Sequence, residues 1–388
     1  PGLGDVRCRA RKRDGIHDEG TRFTVFDLTI PFGSCSTRVA VRAGCLEQAA
    51  RLLIEAAGRR PPRVLLISDE TVASLYADRV GRSFQAERLD FDLHVIPPGE
   101  ASKSLDGLED IYNRLAALAF PRDGVIAALG GGVVSDLAGF AAATWMRGVQ
   151  FAIFPTTLEA DIDAAVGGKT AVNLPAGKNL VGAFHQPVCV GIDPGCLETL
   201  PERDLRAGLA ESVKHALIRS FDFLAWHEDR ADRILARDAE TLAVLIRRNV
   251  EIKAGIVRED AEERSGLRML LNFGHTVGHA IETCAGYALR HGECVALGMV
   301  AACRVGERIG LTAPTLTARV AALLSRLGLP TVLESPPEAE AVMEVMRRDK
   351  KIADGKARLV LLEDAGRPII RDDVPESLVR EVYASLRA

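Results

Sequence analysis

GVIAALGGGVVSD (residues 124–136) carries more topological information than any other part of this chain. Its first half is a short apolar run opened by Gly124, which reads as a buried strand. Gly130, Gly131 and Gly132 break the run, and Val133, Val134, Ser135 and Asp136 lead into a helical pattern. Strand, glycine turn and helix in that order form the first half of a βαβ unit. Glycines let the backbone come close to a ligand, and the free amides of a helix start face an anion, which suits a dinucleotide pyrophosphate. The spacing is not GxGxxG, so the turn alone is equally compatible with a tight connection.

Working outward, Arg63 to Ser68, Phe91 to Ile96 and Phe151 to Phe154 read as further buried strands. Glu47 to Ala57, Leu105 to Leu118 and Ser135 to Ala143 read as the helices between them. That alternation predicts a mostly parallel sheet covered by helices, with ligand loops at the carboxyl ends of the strands. From Pro201, which precedes a helix opening at Glu202, nearly every segment shows the apolar recurrence of helices, and Ala357 to Leu362 is the one strong strand candidate. Pro194 and Gly195 interrupt the pattern between the two regimes. The expected organisation is a loose charged extension over 1–22, an α/β domain over 23–197 and a mainly α-helical domain over 198–388.

Composition supports two domains, because 388 residues exceed what one core usually serves, and it places a cleft between them. A net charge of −4 gives no global attraction to nucleic acid or to an anionic membrane. No apolar run approaches the ~18 residues of a spanning helix, and the basic N-terminal residues Arg7, Arg9, Arg11, Lys12 and Arg13 lead into no signal-like apolar core. Eight cysteines are scattered without CxxC pairs, which suits reduced thiols. The expectation is a soluble, cytoplasmic protein.

Four further stretches carry chemistry. In SDET (68–71) Asp69 ends a strand, where it suits ribose hydroxyls or an ordinary helix cap. PGEASKS (98–104) sets Glu100 and Lys103 in a loop after a strand, a solvated turn by composition. VGGKT (166–170) fails the Walker spacing, yet Lys169, Lys178 and Asn179 lie among glycines and suit a phosphate; a solvent-facing basic loop is the other reading. In RMLLNFGHTVGH (268–279), read as one helix, Arg268, Asn272, His275 and His279 fall within an arc of roughly 60°. A polar stripe on an otherwise apolar helix needs a cavity, and a metal with an anionic substrate would satisfy it. Thr276 stands where the HExxH protease motif needs Glu, which disfavours peptide hydrolysis. His275 and His279 at i,i+4 suggest zinc, His291 follows within reach, and Glu211, with Lys214 one turn on, offers a carboxylate; one carboxylate and two of these histidines would make a catalytic divalent site with open positions.

Together with PTTL (155–158), Asp163 to Asn173, GKNLVGAFHQP (177–187), GLAESVKH (208–215) and HGECVALGM (291–299), these stretches resemble the 3-dehydroquinate synthase family over about residues 40 to 385. The resemblance implies NAD on the α/β domain and Zn2+ or Co2+ on the helical one. It implies metal ligation by Glu211, His275 and His291. NAD would be surrounded by Asp69, Glu100, Lys103, Gly131, Gly132, Val133, Asp136, Thr156 and Thr157, with Lys169 and Lys178 alongside. Lys169, Asn179, Asn272, His279 and Lys350 would hold the phosphate, with Arg147 reaching in from a second subunit of a homodimer. Lys253 and Arg268 would hold a substrate carboxylate. Asp163, Lys178 and Lys214 would complete the pocket, with Lys214, His279, Asp163 and Asn272 acting in catalysis.

The activity so implied cyclises 3-deoxy-D-arabino-heptulosonate 7-phosphate to 3-dehydroquinate with release of phosphate and no net redox change. Valiolone-type cyclases acting on sedoheptulose 7-phosphate, and metal-dependent alcohol dehydrogenases of the same architecture, are the alternatives. The chain departs from the family pattern at Glu159 and Asp161, where an apolar residue and an amide or thioether are usual, and at Arg264, which occupies the place of an acid that Glu263 replaces by a one-residue shift.

Overall fold

The computed structural model describes residues 26–33, 35–175, 177–260, 266–286, 288–348 and 352–388. The expectations for the 1–22 extension, Glu263, Arg264 and Lys350 lie outside these residues. In chain order the strands are β1 (Phe26–Phe32), β2 (Cys35–Val41), β3 (Val64–Asp69), β4 (Phe91–Ile96), β5 (Val125–Gly130), β6 (Gln150–Pro155), β7 (Lys169–Leu174), β8 (Gly177–Phe184), β9 (Cys189–Ile192), β10 (Ile352–Ala353), β11 (Lys356–Asp364) and β12 (Arg367–Pro375).

Seven of them make one sheet in the order β1-β2-β9-β6-β5-β3-β4, antiparallel at β1–β2 and parallel elsewhere. All six residues of β5 are buried, as a central strand covered on both faces requires. Successive side chains go to opposite faces: Leu65, Ile67, Ile126 and Ala128 join one apolar cluster, and Val64, Leu66, Val125 and Ala127 join another. The first cluster continues into the helical half through Leu209, Val213, Leu217 and Val250, so one core ties the two halves together.

Register decides where ligands can go. Ser68 lies opposite Leu129, Asp69 opposite Ile96 and Gly130 opposite Pro155, so β3 to β6 end on one edge of the sheet. The glycine turn, Asp69, Thr156, Thr157 and the 97–104 loop all leave from that edge, the crevice expected of a parallel sheet. The helix after β5 spans Gly132–Thr144, three residues earlier than its pattern suggests, because Gly131 supplies an extended N-cap and Gly132 is already helical.

After Glu202 the structure is mainly helical, with long helices at Glu202–Arg219, Ala239–Glu259 and His291–Arg308. Strands are more numerous than the sequence pattern suggests: β7 and β8 form a separate hairpin, and β10, β11 and β12 a three-stranded sheet. Residues 268–279 do not form the single helix expected. A 3-10 segment, Leu267–Asn272, is followed by Gly274 at φ 79° and a new helix, His275–Cys284. Crowding explains the break: a Cβ on Gly274 would meet Val295 O at 2.9 Å, and one on Gly298 would meet Gly274 O at 1.8 Å. The helices starting at His275 and His291 cross too closely for an uninterrupted helix to pass. Among the described residues no helix is long and apolar enough to cross a membrane.

Candidate metal and dinucleotide site

The Glu202–Arg219 helix is buried along almost its whole inner length, and Glu211, Lys214 and His215 lie at its centre at 1% exposure or less. Gly292 lets the next element reach it, since a Cβ there would lie 1.9 Å from Ala207 O. That contact sets His291, the first residue of its helix, beside Glu211. His275 arrives from the other side, just after the Gly274 break.

The result is a convergence on one oxygen. His275 Nε2 and His291 Nε2 each lie 3.4 Å from Glu211 Oε1. Bonds of about 2.1 Å in a tetrahedral site put neighbouring ligand atoms about 3.4 Å apart, so this spacing fits a divalent ion. Each imidazole is oriented by its other nitrogen: His275 Nδ1 lies 3.1 Å from Phe273 O, and His291 Nδ1 lies 3.1 Å from Glu282 Oε2. Those contacts leave both Nε2 lone pairs for a cation. Both Glu211 oxygens are buried; Oε2 is paired with Lys214 Nζ, and Oε1 faces the two imidazole nitrogens, as a ligand oxygen should. His279 joins the cluster, its ring centroid 5.1 Å from that of His275 and 5.4 Å from that of His291.

Charge is concentrated around this point. Burial pushes the Glu211 carboxyl up, but Lys214, paired to it through Nζ, and His275 outweigh burial and hold it well below the usual carboxylate range. Asp163 follows from the turn after β6; burial opposes its ionisation, yet Lys253 at 2.7 Å and Lys214 at 3.8 Å bring it well below that range too. Burial pulls Lys253 down to about 8 despite Asp163. Arg268, 2% exposed, points both terminal nitrogens at Gly167 O, 3.4 Å from each, and adds to the field at Lys253. A Cβ on Gly167 would lie 2.9 Å from Arg268 Nη2, so the glycine makes room for the guanidinium.

At the sheet edge the glycine turn packs on the next loop, since a Cβ on Gly131 would meet Thr157 Cγ2 at 3.2 Å. Thr156 is 4% exposed and its hydroxyl has no partner, a buried polar atom that suits a bound dinucleotide. No side chain caps the helix that starts at Gly132 and Val133, so its amides stay available for an anion. Asp69 caps a short helix, with Oδ1 accepting from Val72 N at 3.0 Å. Glu100 and Lys103 do not pair with each other: Lys103 Nζ lies 2.5 Å from Asp136 Oδ2, and Glu100 accepts from Asn173 at 2.8 Å.

Lys169, Lys178 and Asn179 sit on the β7–β8 hairpin rather than in a loop. Lys178 links the two halves of the site, with Nζ 2.8 Å from Glu282 and 3.7 Å from Glu100. Asn179 is exposed at φ 56°, its N–H bonded to Asn173 Oδ1. Asn272 is half-buried at the end of the 3-10 segment. Arg147 is exposed in a turn where Met146, Arg147 and Gly148 all have positive φ.

Sequence reasoning missed Glu282 and His215. Glu282 lies seven residues after His275 on the same helical face, so the polar stripe continues past His279. Glu159 also enters the site: burial pushes its carboxyl up, and it lies in the field of His291, Glu211, Asp163 and Glu282.

A 3-dehydroquinate synthase N-terminal family model matches residues 93–207, and the C-terminal model matches residues 208–352. Among solved structures, a 2-deoxy-scyllo-inosose synthase complexed with carbaglucose-6-phosphate, NAD+ and Co2+ superposes with a TM-score of 0.85 at 26% identity, covering 93% of this chain and 100% of that one. The 2-epi-5-epi-valiolone synthase of Streptomyces hygroscopicus subsp. jinggangensis 5008, with NAD+ and Zn2+ bound, gives 0.83 at 28% identity, covering 92% and 98%. An iron-containing alcohol dehydrogenase gives 0.65 at 14% identity, covering 92% and 99%, a likeness of fold alone. Because the two models together span residues 93–352, more than half of the chain, it belongs to the 3-dehydroquinate synthase family of sugar phosphate cyclases.

Proposed function

We propose that this cyclase is a 3-dehydroquinate synthase, converting 3-deoxy-D-arabino-heptulosonate 7-phosphate to 3-dehydroquinate and phosphate with NAD+ and Zn2+ or Co2+. The observation that carries the choice of substrate is the pair of buried cations, Lys253 and Arg268, beside the Glu211 cluster. Lys253 is paired with Asp163, and the planar guanidinium of Arg268 beside it matches a substrate carboxylate with two hydrogen bonds, a group that sedoheptulose 7-phosphate lacks.

Held by Glu211, His275 and His291, the metal would supply Lewis acidity to a substrate hydroxyl, while NAD+ on the Gly131–Asp136 turn would take and return a hydride with no net redox change. Arg268 grips the carboxylate through two nitrogens, with Lys253 as its neighbour. Asp163, kept ionised by Lys253 and Lys214, accepts hydrogen bonds from substrate hydroxyls. Lys169, Asn179, Asn272 and His279 orient the phosphate, whose own oxygen takes the proton from the adjacent carbon as the C–O bond to phosphate breaks. Arg147, exposed on its turn, is the group a second copy in a homodimer would present to the same phosphate. The described cysteines are all free, which supports a cytoplasmic setting.

Phosphate release from a substrate panel tests the reading. Turnover of the heptulosonate phosphate without accumulating NADH is expected. Turnover of sedoheptulose 7-phosphate instead makes the protein a valiolone-type cyclase, and NADH in proportion to product makes it a dehydrogenase.

A further inference from the structure

One buried nitrogen beside the pocket has no hydrogen-bond partner and no role in the mechanism above: Nε2 of His215, a residue at 0% exposure. Its neighbours fix where its proton sits. Asn249 Nδ2 lies 2.8 Å from the Leu245 carbonyl oxygen, which only accepts, so the amide nitrogen must be on that side. Asn249 Oδ1 then faces His215 Nδ1 at 2.9 Å, and a bond there needs a proton on Nδ1. The same Nδ2 donates to Ser212 Oγ at 2.7 Å, which sends the serine hydrogen to His227 Nε2 at 2.7 Å. That nitrogen is bare because His227 Nδ1 donates to the Phe223 carbonyl at 2.7 Å. Main-chain carbonyls anchor the relay at both ends, and Ser212, His215, His227 and Asn249 are all fully buried.

With Nδ1 protonated, a neutral His215 presents a bare lone pair toward Asp163 Oδ1, 3.6 Å away. That separation is too long for a hydrogen bond, and both atoms are acceptors. Lys214 is engaged with Glu211, and Lys253 Nζ serves Asp163, 2.7 Å from Oδ1, so His215 Nε2 is the acceptor left without a donor, while the carboxylate oxygen keeps a further lone pair. We propose that His215 Nε2 and Asp163 Oδ1 jointly receive one hydroxyl of the sugar-phosphate substrate, and that Asn249, Ser212 and His227 are positioning residues that hold the accepting tautomer. This rests on the functional reading above and adds a substrate-binding residue to it.

Two measurements test it. In 15N-histidine NMR of the Zn2+-loaded enzyme, the signals missing from a His215→Asn variant belong to His215; they should show a protonated Nδ1 and a bare Nε2 between about pH 7 and 8. A protonated Nε2 would overturn the proposal, whatever the enzyme turns over, so this arm is independent of the functional reading. In the kinetic arm, His215→Asn keeps an N–H donor for Asn249 but removes the acceptor facing Asp163. Loss of one hydrogen bond lowers kcat/KM by about 10-fold, and His215→Gln, which returns an oxygen near Nε2, recovers part of it. Substrates lacking one hydroxyl at a time locate the donor: wild type and variant should become equal on one of them. If wild type keeps its full advantage on every analogue, the donor is not a substrate hydroxyl and the proposal fails. Absence of phosphate release by wild type would instead sink the functional reading alone.

Discussion

Replacing Glu282 by Gln keeps the shape of a side chain and removes its charge at the point where the two halves of the site meet. Glu282 is 5% exposed; Oε2 takes His291 Nδ1 at 3.1 Å and Oε1 takes Lys178 Nζ at 2.8 Å. Burial alone would raise its carboxyl, but His291 and Lys178 bring it down to about 2, so it is anionic throughout the working range. An amide has one acceptor for two donors. If its oxygen stays on His291, its NH2 faces the Lys178 ammonium; if it turns to Lys178, the NH2 faces the imidazole N–H. Either way a partner that orients a metal ligand is weakened, and such changes typically cost about 10- to 100-fold in metal affinity, or about 1.4 to 2.7 kcal/mol. Competition of Zn2+ against a chromophoric chelator measures it, with NAD+ affinity as a control for folding. We expect Zn2+ binding to weaken within that range. Unchanged affinity would show that Glu282 does not orient His291 for metal.

Lys253 is charged below about pH 8 and neutral above it, so its attraction for a substrate carboxylate is lost on the alkaline side. The kcat/KM profile should fall there, and Lys253→Arg, with a guanidinium that stays charged, should move the fall to higher pH. His227, buried and brought down to about 4 by burial, stays neutral in the fold and takes a proton when unfolded below its ordinary value. Its contribution is therefore complete above about pH 6.5 and shrinks on acidification, so the stability gap between the metal-free enzyme and its His227→Gln variant should narrow by roughly 2 to 3 kcal/mol between pH 7 and 4.5, read from denaturant unfolding. Gly298→Ala would put a methyl 1.8 Å from Gly274 O. It should lower stability by about 1 to 3 kcal/mol and weaken Zn2+ binding with it, because His275 and His291 ride on the two helices forced apart.

How far the sequence spoke depended on whether a feature was local. β4 matches the apolar run from Phe91 to Ile96 residue for residue, and β5 is a continuous buried run between glycines, a pattern set by the strand itself. β8 escaped because Leu180 and Phe184 on one face and Val181 and Ala183 on the other are all apolar, so its sequence lacks the alternation that marks a half-buried strand. The metal trio was legible because His, His and Glu have few reasons to recur near apolar helix positions. Its geometry was not: the polar periodicity of 268–279 runs straight through Gly274, and the break is imposed by Val295 and Gly298 from another helix. Glu282 and His215 acquire meaning only through partners 9 and 34 residues away, His291 and Asn249. Asp161, fully buried with both oxygens unpartnered and its carboxyl pushed well up by burial, was legible as a departure, and nothing in the structure explains why it is there.

Anomalous diffraction from crystals grown with Zn2+ and NAD+ bears most directly on the arrangement. A zinc peak bonded to Glu211, His275 and His291, with the nicotinamide ring beside it and the pyrophosphate at the Gly131–Gly132 turn, is the expected result. A peak among Asp163, Glu211 and His215, or a nicotinamide directed away from the zinc, would contradict it.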